Sequence, residues 1–176
     1  MSALESIDLT LLAWMYDWRH PALSLGMGIV TWLGSLAVLL PLALLIGWRL
    51  DAHRDWRHRA FLGTAIIGAA VVAHVLKWAI DRDRPDLFPS LVAMPADSSF
   101  PSAHALQVTA FVAAWLISSG GWGSVGQVVA GLMLVAAVCF SRLYLQVHFP
   151  TDVLIGALGG LLWVWILHRL PVWRRV

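Results

Sequence analysis

Long apolar runs separated by short polar segments dominate the chain after its first 50 residues. Four of them, at about 60–80, 102–119, 123–143 and 150–169, approach the roughly 20 residues that a helix needs to cross a bilayer. A helix satisfies its own backbone hydrogen bonds, whereas an open sheet exposed to lipid does not. The pattern therefore predicts an all-α fold, a polytopic membrane helix bundle.

The first 50 residues show a weaker pattern. Residues 22–33 supply half a span that ends near Gly34 and Ser35, and Pro41 is expected to kink the apolar run that follows. We predict a single broken span over about 22–50, which gives five spanning helices. A tilted N-terminal helix that also enters the bilayer would give six.

The N-terminal segment, residues 1–21, is amphipathic and is expected to form a helix in the membrane interface. Aromatic and charged side chains alternate near its end: Trp14, Tyr16, Asp17, Trp18 and Arg19. The segment starts without a positive region and carries Glu5 and Asp8, so it does not resemble a cleavable signal peptide. We predict a single membrane domain over residues 1–176.

Composition supports the membrane assignment and excludes other classes. The 176 residues are 60% hydrophobic and 12% charged, whereas soluble domains carry about 25% charged residues. This excludes a soluble enzyme and a disordered regulator, and a net charge of +2 gives no reason to expect a nucleic-acid partner. Cys139 is expected to be a buried small hydrophobe. Gly156 and Gly160 have the spacing that allows close helix packing, which we place inside the bundle.

Charge asymmetry predicts the orientation. Seven of the 12 basic residues lie at junctions predicted to share one side: Arg49, Arg54, Arg57, Arg59, Arg169, Arg174 and Arg175. The positive-inside rule makes that side cytoplasmic, together with the C-terminus. The 81–101 loop then faces the periplasm or the exterior of a bacterial inner membrane.

Polar residues at the outward ends of the spans form three groups, and such residues at membrane depth are functional candidates. The first group is Lys77 with Arg84 and Pro85. Taken alone, Lys77 also fits a lysine that extends its amine to the interface. Arg84 alone would be an ordinary loop residue.

The second group surrounds the start of a predicted helix, where Pro101 and Ser102 precede Ala103 and His104. The free backbone N–H groups at such a start bind phosphate well. Simple capping by Ser102 is the alternative. Capping does not account for His104.

The third group consists of Ser141, Arg142, His148 and Asp152. The carboxylate of Asp152 has the spacing to accept a hydrogen bond from one imidazole nitrogen, which leaves the other as a nucleophile. The alternative is that Asp152 or Thr151 only caps the next helix.

Together the groups bring three cations, a hydroxyl, a helix N-terminus and two histidines to one membrane face. Phosphoryl transfer needs positive groups around the phosphate oxygens, a nucleophile and an acid. Four acidic loop residues have no metal-binding pattern: Asp81, Asp83, Asp86 and Asp97. We therefore expect no metal or other cofactor, with the cations taking the place of a metal.

Three motifs resemble those of the type 2 phosphatidic acid phosphatase superfamily, which also includes vanadium haloperoxidases and bacterial acid phosphatases. They are K-x6-RP from Lys77, PSxH from Pro101, and SR-x5-H-x3-D from Ser141. The resemblance covers about residues 60–169. Ala103 stands where glycine is usual, and we expect a minor effect unless a positive φ is needed there.

The resemblance implies the residue roles. His148 would attack phosphorus and form a phosphohistidine, with Asp152 orienting its ring. His104 would protonate the leaving oxygen and then activate water. Phosphate would be held by four side chains and the Ala103 backbone: Lys77, Arg84, Ser102 and Arg142.

A site among spanning helices suits a lipid headgroup whose chains remain in the bilayer. The resemblance points to undecaprenyl pyrophosphate first, with phosphatidylglycerol phosphate and phosphatidic acid as alternatives. A lipid phosphotransferase, a soluble-type haloperoxidase and a non-catalytic scaffold or transporter are the rival classes. Membrane lipids are the expected partners, nucleic acid is not, and the sequence specifies no oligomeric state.

Overall fold

The computed structural model describes residues 3–51, 56–120, 124–173 and 176, and these ranges are mainly helical, with an irregular loop over residues 81–102. Seven α-helices are described: α1 Ala3–Asp17, α2 Pro21–Val30, α3 Leu36–Leu50, α4 Arg57–Ile80, α5 Ala103–Ser118, α6 Val125–Tyr144 and α7 Pro150–Arg169. Short 3-10 turns follow α2 and α7, at Thr31–Gly34 and Pro171–Trp173. The predicted all-α class is confirmed.

Three helices, α4, α6 and α7, are long and apolar enough to cross a membrane. The pair Pro21–Gly34 and Leu36–Leu50 passes the same test only when taken together. The described ranges therefore give three to four spans by length and composition, against the five or six that we predicted. The difference lies in α5, which is apolar but has 16 residues. It begins inside the protein, since Ser99 and Ser102 before it are fully buried.

The predicted break near Gly34 and Ser35 is confirmed, and the axes on its two sides differ by 52°. Ser35 is extended, with φ −79° and ψ 148°, and so interrupts the helix. Helix α3 continues through Pro41, so this residue does not interrupt the helix. A Cβ on Gly34 would lie 2.5 Å from Val138 Cγ1 and 3.2 Å from His104 Cβ. The break therefore brings bare backbone against the start of α5.

Helix α5 lies at the centre of the bundle, and most of its side chains are buried. Gly156 and Gly160 on α7 face it, as predicted for close internal packing. A Cβ at Gly160 would lie 2.5 Å from the carbonyl oxygen of Leu106. Cys139 on α6 is half-buried and not buried as predicted, because α6 leaves most of its surface outside the bundle.

The two ends of the bundle differ in charge. Phe61 near the start of α4 contacts His168 and Trp173 at the end of α7, with ring centroids 6.0 and 5.6 Å apart. Asp51 after α3 accepts a hydrogen bond of 2.7 Å from Arg59 Nε, which brings α3 to the same end. This end carries the described members of the basic group: Arg49, Arg57, Arg59 and Arg169. The other members, Arg54, Arg174 and Arg175, lie outside the described residues.

Helix α1 forms where the amphipathic segment was predicted. It buries Asp8, Leu12 and Met15 and packs against α6 and α7. Its opposite face exposes large apolar side chains: Leu4, Ile7, Leu11 and Trp14. That face suits contact with lipid, and its place in the interface stays a prediction.

Candidate active site

The three polar groups predicted from the sequence meet where α4 and α6 end and α5 and α7 begin. The Ser102 backbone N–H donates to the carbonyl of Asp152 at 3.0 Å, which joins the starts of α5 and α7. Arg84 Nη1 donates to the carbonyl of Val147 at 2.6 Å, which ties the 81–101 loop to the segment before α7. The motifs therefore form one site.

His148 and Asp152 are 2% and 0% exposed and face each other. His148 Nδ1 lies 3.7 Å from Asp152 Oδ2, longer than a direct hydrogen bond. The Ser99 hydroxyl donates to the same carboxylate oxygen at 2.5 Å and lies 3.4 Å from Nδ1. Ser99 thus links the imidazole to the carboxylate, a role that residue spacing did not predict.

The other ring nitrogen of His148 meets a cation, since Arg84 Nη1 lies 3.5 Å from Nε2. His104 is in the first turn of α5. It lies two residues after Ser102, whose backbone N–H donates to the Asp152 carbonyl. Both predicted histidines therefore belong to the same site.

Lys77 and Arg84 hold an anion in this structure, the carboxylate of Asp97. Lys77 Nζ lies 3.3 Å from Oδ2, and Arg84 Nη2 donates to Oδ1 at 2.7 Å. Burial opposes ionisation of Asp97, but the Arg84 hydrogen bond and the Lys77 charge outweigh it and lower the pKa of this carboxyl. Two cations that clamp two oxygens of one anion suit a phosphate equally well.

Arg142 reaches the site from the last turn of α6 and is 5% exposed. Its Nη1 donates to the Thr31 hydroxyl at 2.6 Å, from the turn after α2. No pattern in the sequence pointed to Thr31, because the two residues are 111 positions apart. Arg142 Nε is buried and has no hydrogen-bond partner among the residues that the structure describes, so a donor remains for an anionic ligand.

Ser102 caps α5, with its hydroxyl accepting from the Ala105 N–H at 3.5 Å. Ser102 therefore caps the helix, as the alternative interpretation proposed. It also lies at the site, because its backbone N–H contacts Asp152. Ala103 begins α5 and is not among the residues with positive φ. Alanine therefore fits this backbone without strain, and glycine's extra freedom is not required.

Arg82 and Asp8 were given no role in the sequence interpretation, yet both reach the site. Arg82 Nη1 donates to Asp152 Oδ1 at 2.5 Å, and Nη2 donates to Asp8 Oδ2 at 2.9 Å. Charged residues are rare in this chain, and a charge near a membrane is costly unless it is paired. That rarity was the feature of the sequence that could have drawn attention to Arg82 and Asp8. Their partners were not evident because Asp8 lies 74 positions from Arg82.

An integral membrane helix bundle that gathers cations, two histidines and a helix N-terminus at one buried site has the architecture of a membrane phosphatase. The model of the PAP2 superfamily matches residues 59–175. The chain belongs to this superfamily, as the three motifs predicted, and it is a membrane phosphatase.

Individual proteins similar to this chain are also phosphatases. Phosphatidylglycerophosphatase B of Bacillus subtilis is 35% identical over 82% of this chain and 73% of its own length. An undecaprenyl-diphosphatase of Sulfolobus acidocaldarius is 34% identical, over 52% of this chain and 45% of its own length. The crystal structure of a transmembrane PAP2 type phosphatidylglycerolphosphate phosphatase from Bacillus subtilis has 30% identity and a TM-score of 0.82. It covers 95% of this chain and 85% of that chain.

Proposed function

We propose that the protein hydrolyses lipid phosphates or pyrophosphates without a metal, through a phosphohistidine at His148. One observation carries the proposal. Arg84 binds an anion through Nη2 and lies 3.5 Å from His148 Nε2 through Nη1. An anion held by Arg84 is thereby placed beside the imidazole nitrogen that does not face Asp152.

The chemistry follows from this arrangement. His148 Nε2 forms a bond to phosphorus as the bond to the leaving oxygen breaks, and His104 gives that oxygen a proton. His104 then takes a proton from water, whose oxygen attacks phosphorus and breaks the P–N bond. Free phosphate leaves, and both histidines return to their first state. The Asp152 carboxylate stabilises the positive charge that His148 gains on attack.

Four further groups would hold the phosphate: Lys77, Arg84, Arg142 and the start of α5 with Ser102 and Ala103. Their positive charges offset the charge on the equatorial oxygens, the task that a metal performs elsewhere. In this proposal Asp97 yields Lys77 and Arg84 to the substrate. The departure of one carboxylate as a phosphate enters keeps the charge of the site nearly constant.

The substrate we propose is a membrane lipid, because the site is enclosed by helices with large apolar outer faces. Undecaprenyl pyrophosphate remains our first candidate. Phosphatidylglycerol phosphate is the second, favoured by the extent of the similarity to the Bacillus subtilis phosphatase. We place the site on the periplasmic or exterior side, since four arginines of the basic group lie at the opposite end of the bundle: Arg49, Arg57, Arg59 and Arg169.

The direct test is phosphate release by the full chain, purified in detergent, with EDTA present. We expect hydrolysis of undecaprenyl pyrophosphate, phosphatidylglycerol phosphate or phosphatidic acid, ranked by kcat/KM. Dependence on an added divalent metal would contradict the proposed chemistry. Transfer of the phosphoryl group to a second lipid, seen by product analysis, would favour a phosphotransferase.

The pH dependence follows from the environment of His148. Burial lowers the pKa of this imidazole from the usual 6.5; contact with Asp152 opposes the effect, and the charges of Arg142 and Arg84 add to it. The nucleophile therefore stays neutral below pH 6.5, and its protonation limits kcat/KM only at lower pH. Because the unfolded chain binds this proton more tightly, acid below 6.5 also favours unfolding.

The measurement is an NMR titration of the His148 ring in detergent, alongside the kcat/KM profile. A His148 midpoint at or above 6.5 would contradict this assignment. The substrate's own phosphate ionises at about pH 6, so the ring titration, which needs no substrate, is decisive.

A further inference from the structure

The buried carboxylate of Asp8 lies on α1, outside the three motifs. It is 1% exposed, although most of α1 faces outward. Oδ1 accepts from the Thr151 backbone N–H at 2.9 Å, and Oδ2 accepts from the Thr151 hydroxyl at 2.6 Å and from Arg82 at 2.9 Å. A buried carboxylate is tolerated only when it is paired in this way.

Arg82 connects this carboxylate to Asp152. Its Nη2 donates to Asp8, while its Nη1 donates to Asp152 Oδ1 and, at 2.8 Å, to the Thr151 hydroxyl. The guanidinium lies over the Phe149 ring, with Cζ 4.1 Å from the ring centroid. Arg82 is therefore fixed on both edges and on one face, and it has little freedom to move away from Asp152.

The two oxygens of the Asp152 carboxylate accept hydrogen bonds from different donors. Oδ1 receives Arg82. Oδ2 receives the Ser99 hydroxyl and, at 2.9 Å, the Phe149 backbone N–H, and this oxygen is the one that faces His148. Rotation of the carboxylate would break contacts at both oxygens together.

We propose that Asp8 is a positioning residue for catalysis, acting through Arg82 and Thr151 to fix the Asp152 carboxylate that orients His148. The N-terminal helix is then part of the catalytic apparatus. This role rests on the proposed function of His148 and Asp152. Asp8 contacts neither substrate nor His148, and its effect is exerted on alignment.

The test is kinetic comparison of Asp8→Asn with the wild type. The amide keeps the shape of the side chain but loses the charge and one acceptor. We expect kcat to fall between about tenfold and about a hundredfold, as for a small misplacement of reacting groups. KM should stay nearly constant, because Lys77, Arg84 and Arg142 are untouched. Asp17→Asn, at the exposed end of the same helix, should behave like the wild type.

A double-mutant cycle separates positioning from a general structural role. If Asp8 acts through Asp152, then Asp8→Asn should have little further effect on kcat in an Asp152→Asn background. An unchanged kcat in the single variant, or the same fold loss in both backgrounds, would overturn the proposal. Asp8→Glu, which keeps the charge, guards against a variant that fails to fold and should recover part of kcat.

A spectroscopic measurement makes the result independent of turnover. Protein labelled with 15N-histidine reports the proton on each His148 ring nitrogen. We expect Asp8→Asn to shift the His148 Nδ1 signal, whereas Asp17→Asn should not. Wild-type protein without phosphatase activity would overturn the proposed function. Unchanged His148 signals in Asp8→Asn would overturn the role of Asp8 alone.

Discussion

Replacement of His148 by alanine is expected to abolish phosphate release, with kcat/KM reduced by about 10⁴-fold or more. The reason is that this substitution removes the atom that bonds to phosphorus and leaves only the cations that bind the phosphate. Substrate affinity should survive, since Lys77, Arg84 and Arg142 remain. The measurement is phosphate release in detergent, accompanied by binding of a non-hydrolysed lipid phosphonate.

The matched control is His74→Ala. His74 is an exposed histidine on α4, and its Nδ1 lies 2.8 Å from the Ala70 carbonyl of the same helix. It should keep wild-type activity. Substantial turnover by His148→Ala, or loss of turnover in both variants, would refute the assignment of the nucleophile.

A second expectation concerns the contact between α5 and α7. Gly160→Ala would place a Cβ 2.5 Å from the Leu106 carbonyl oxygen and 3.0 Å from the Ala110 nitrogen. These are backbone atoms in the central helix, so they cannot rotate aside as a side chain would. Overpacking of this kind costs about 1–3 kcal/mol, against a gain of about 0.5–1 kcal/mol from replacing glycine in a helix. The net effect is a loss of stability.

Gly159→Ala is the control for Gly160→Ala. Its Cβ would lie 3.5 Å from Leu106 Cδ1 and 3.9 Å from Leu106 Cγ, which are ordinary van der Waals contacts. The control should therefore equal or exceed the wild type in thermal stability, while Gly160→Ala should melt lower by about 3 °C or more. Equal melting temperatures for the two variants would show that α7 shifts freely against α5. Activity should fall with stability in Gly160→Ala, because Asp152 lies on the same helix.

The parts of the site that could be predicted from the sequence are those formed by residues close together along the chain. The distance from His148 to Asp152 is one helical turn, and Pro150 marks where α7 starts. The order Pro101, Ser102 marks the start of α5 in the same way. Such patterns are properties of short segments, and they specify the fold locally.

Contacts between distant segments were not predicted, and physical reasons explain the omissions. Thr31 supports Arg142 and Asp8 supports Arg82 through pairs that only the packed bundle brings together. A threonine or an aspartate gives no sign in the sequence of which arginine it will meet. Ser99 was missed for another reason, since a serine beside a motif is ordinary loop composition until its hydroxyl is seen between His148 and Asp152.

The count of spans shows a similar limit. Apolarity predicted that α5 crosses the membrane, but an apolar helix is equally suited to the centre of a bundle. In the structure most of the side chains of α5 are buried against other helices. Hydropathy measures the preference of a segment for a non-aqueous environment, and lipid and protein both provide one.

The position of Lys77 has a practical consequence for chemical labelling. It is the single lysine in the sequence, and it is 5% exposed behind Asp97. Lysine-directed dyes and crosslinkers therefore have one target side chain, shielded by the protein itself. A bulky reagent will leave it unmodified, whereas a small one that enters will react inside the phosphate site.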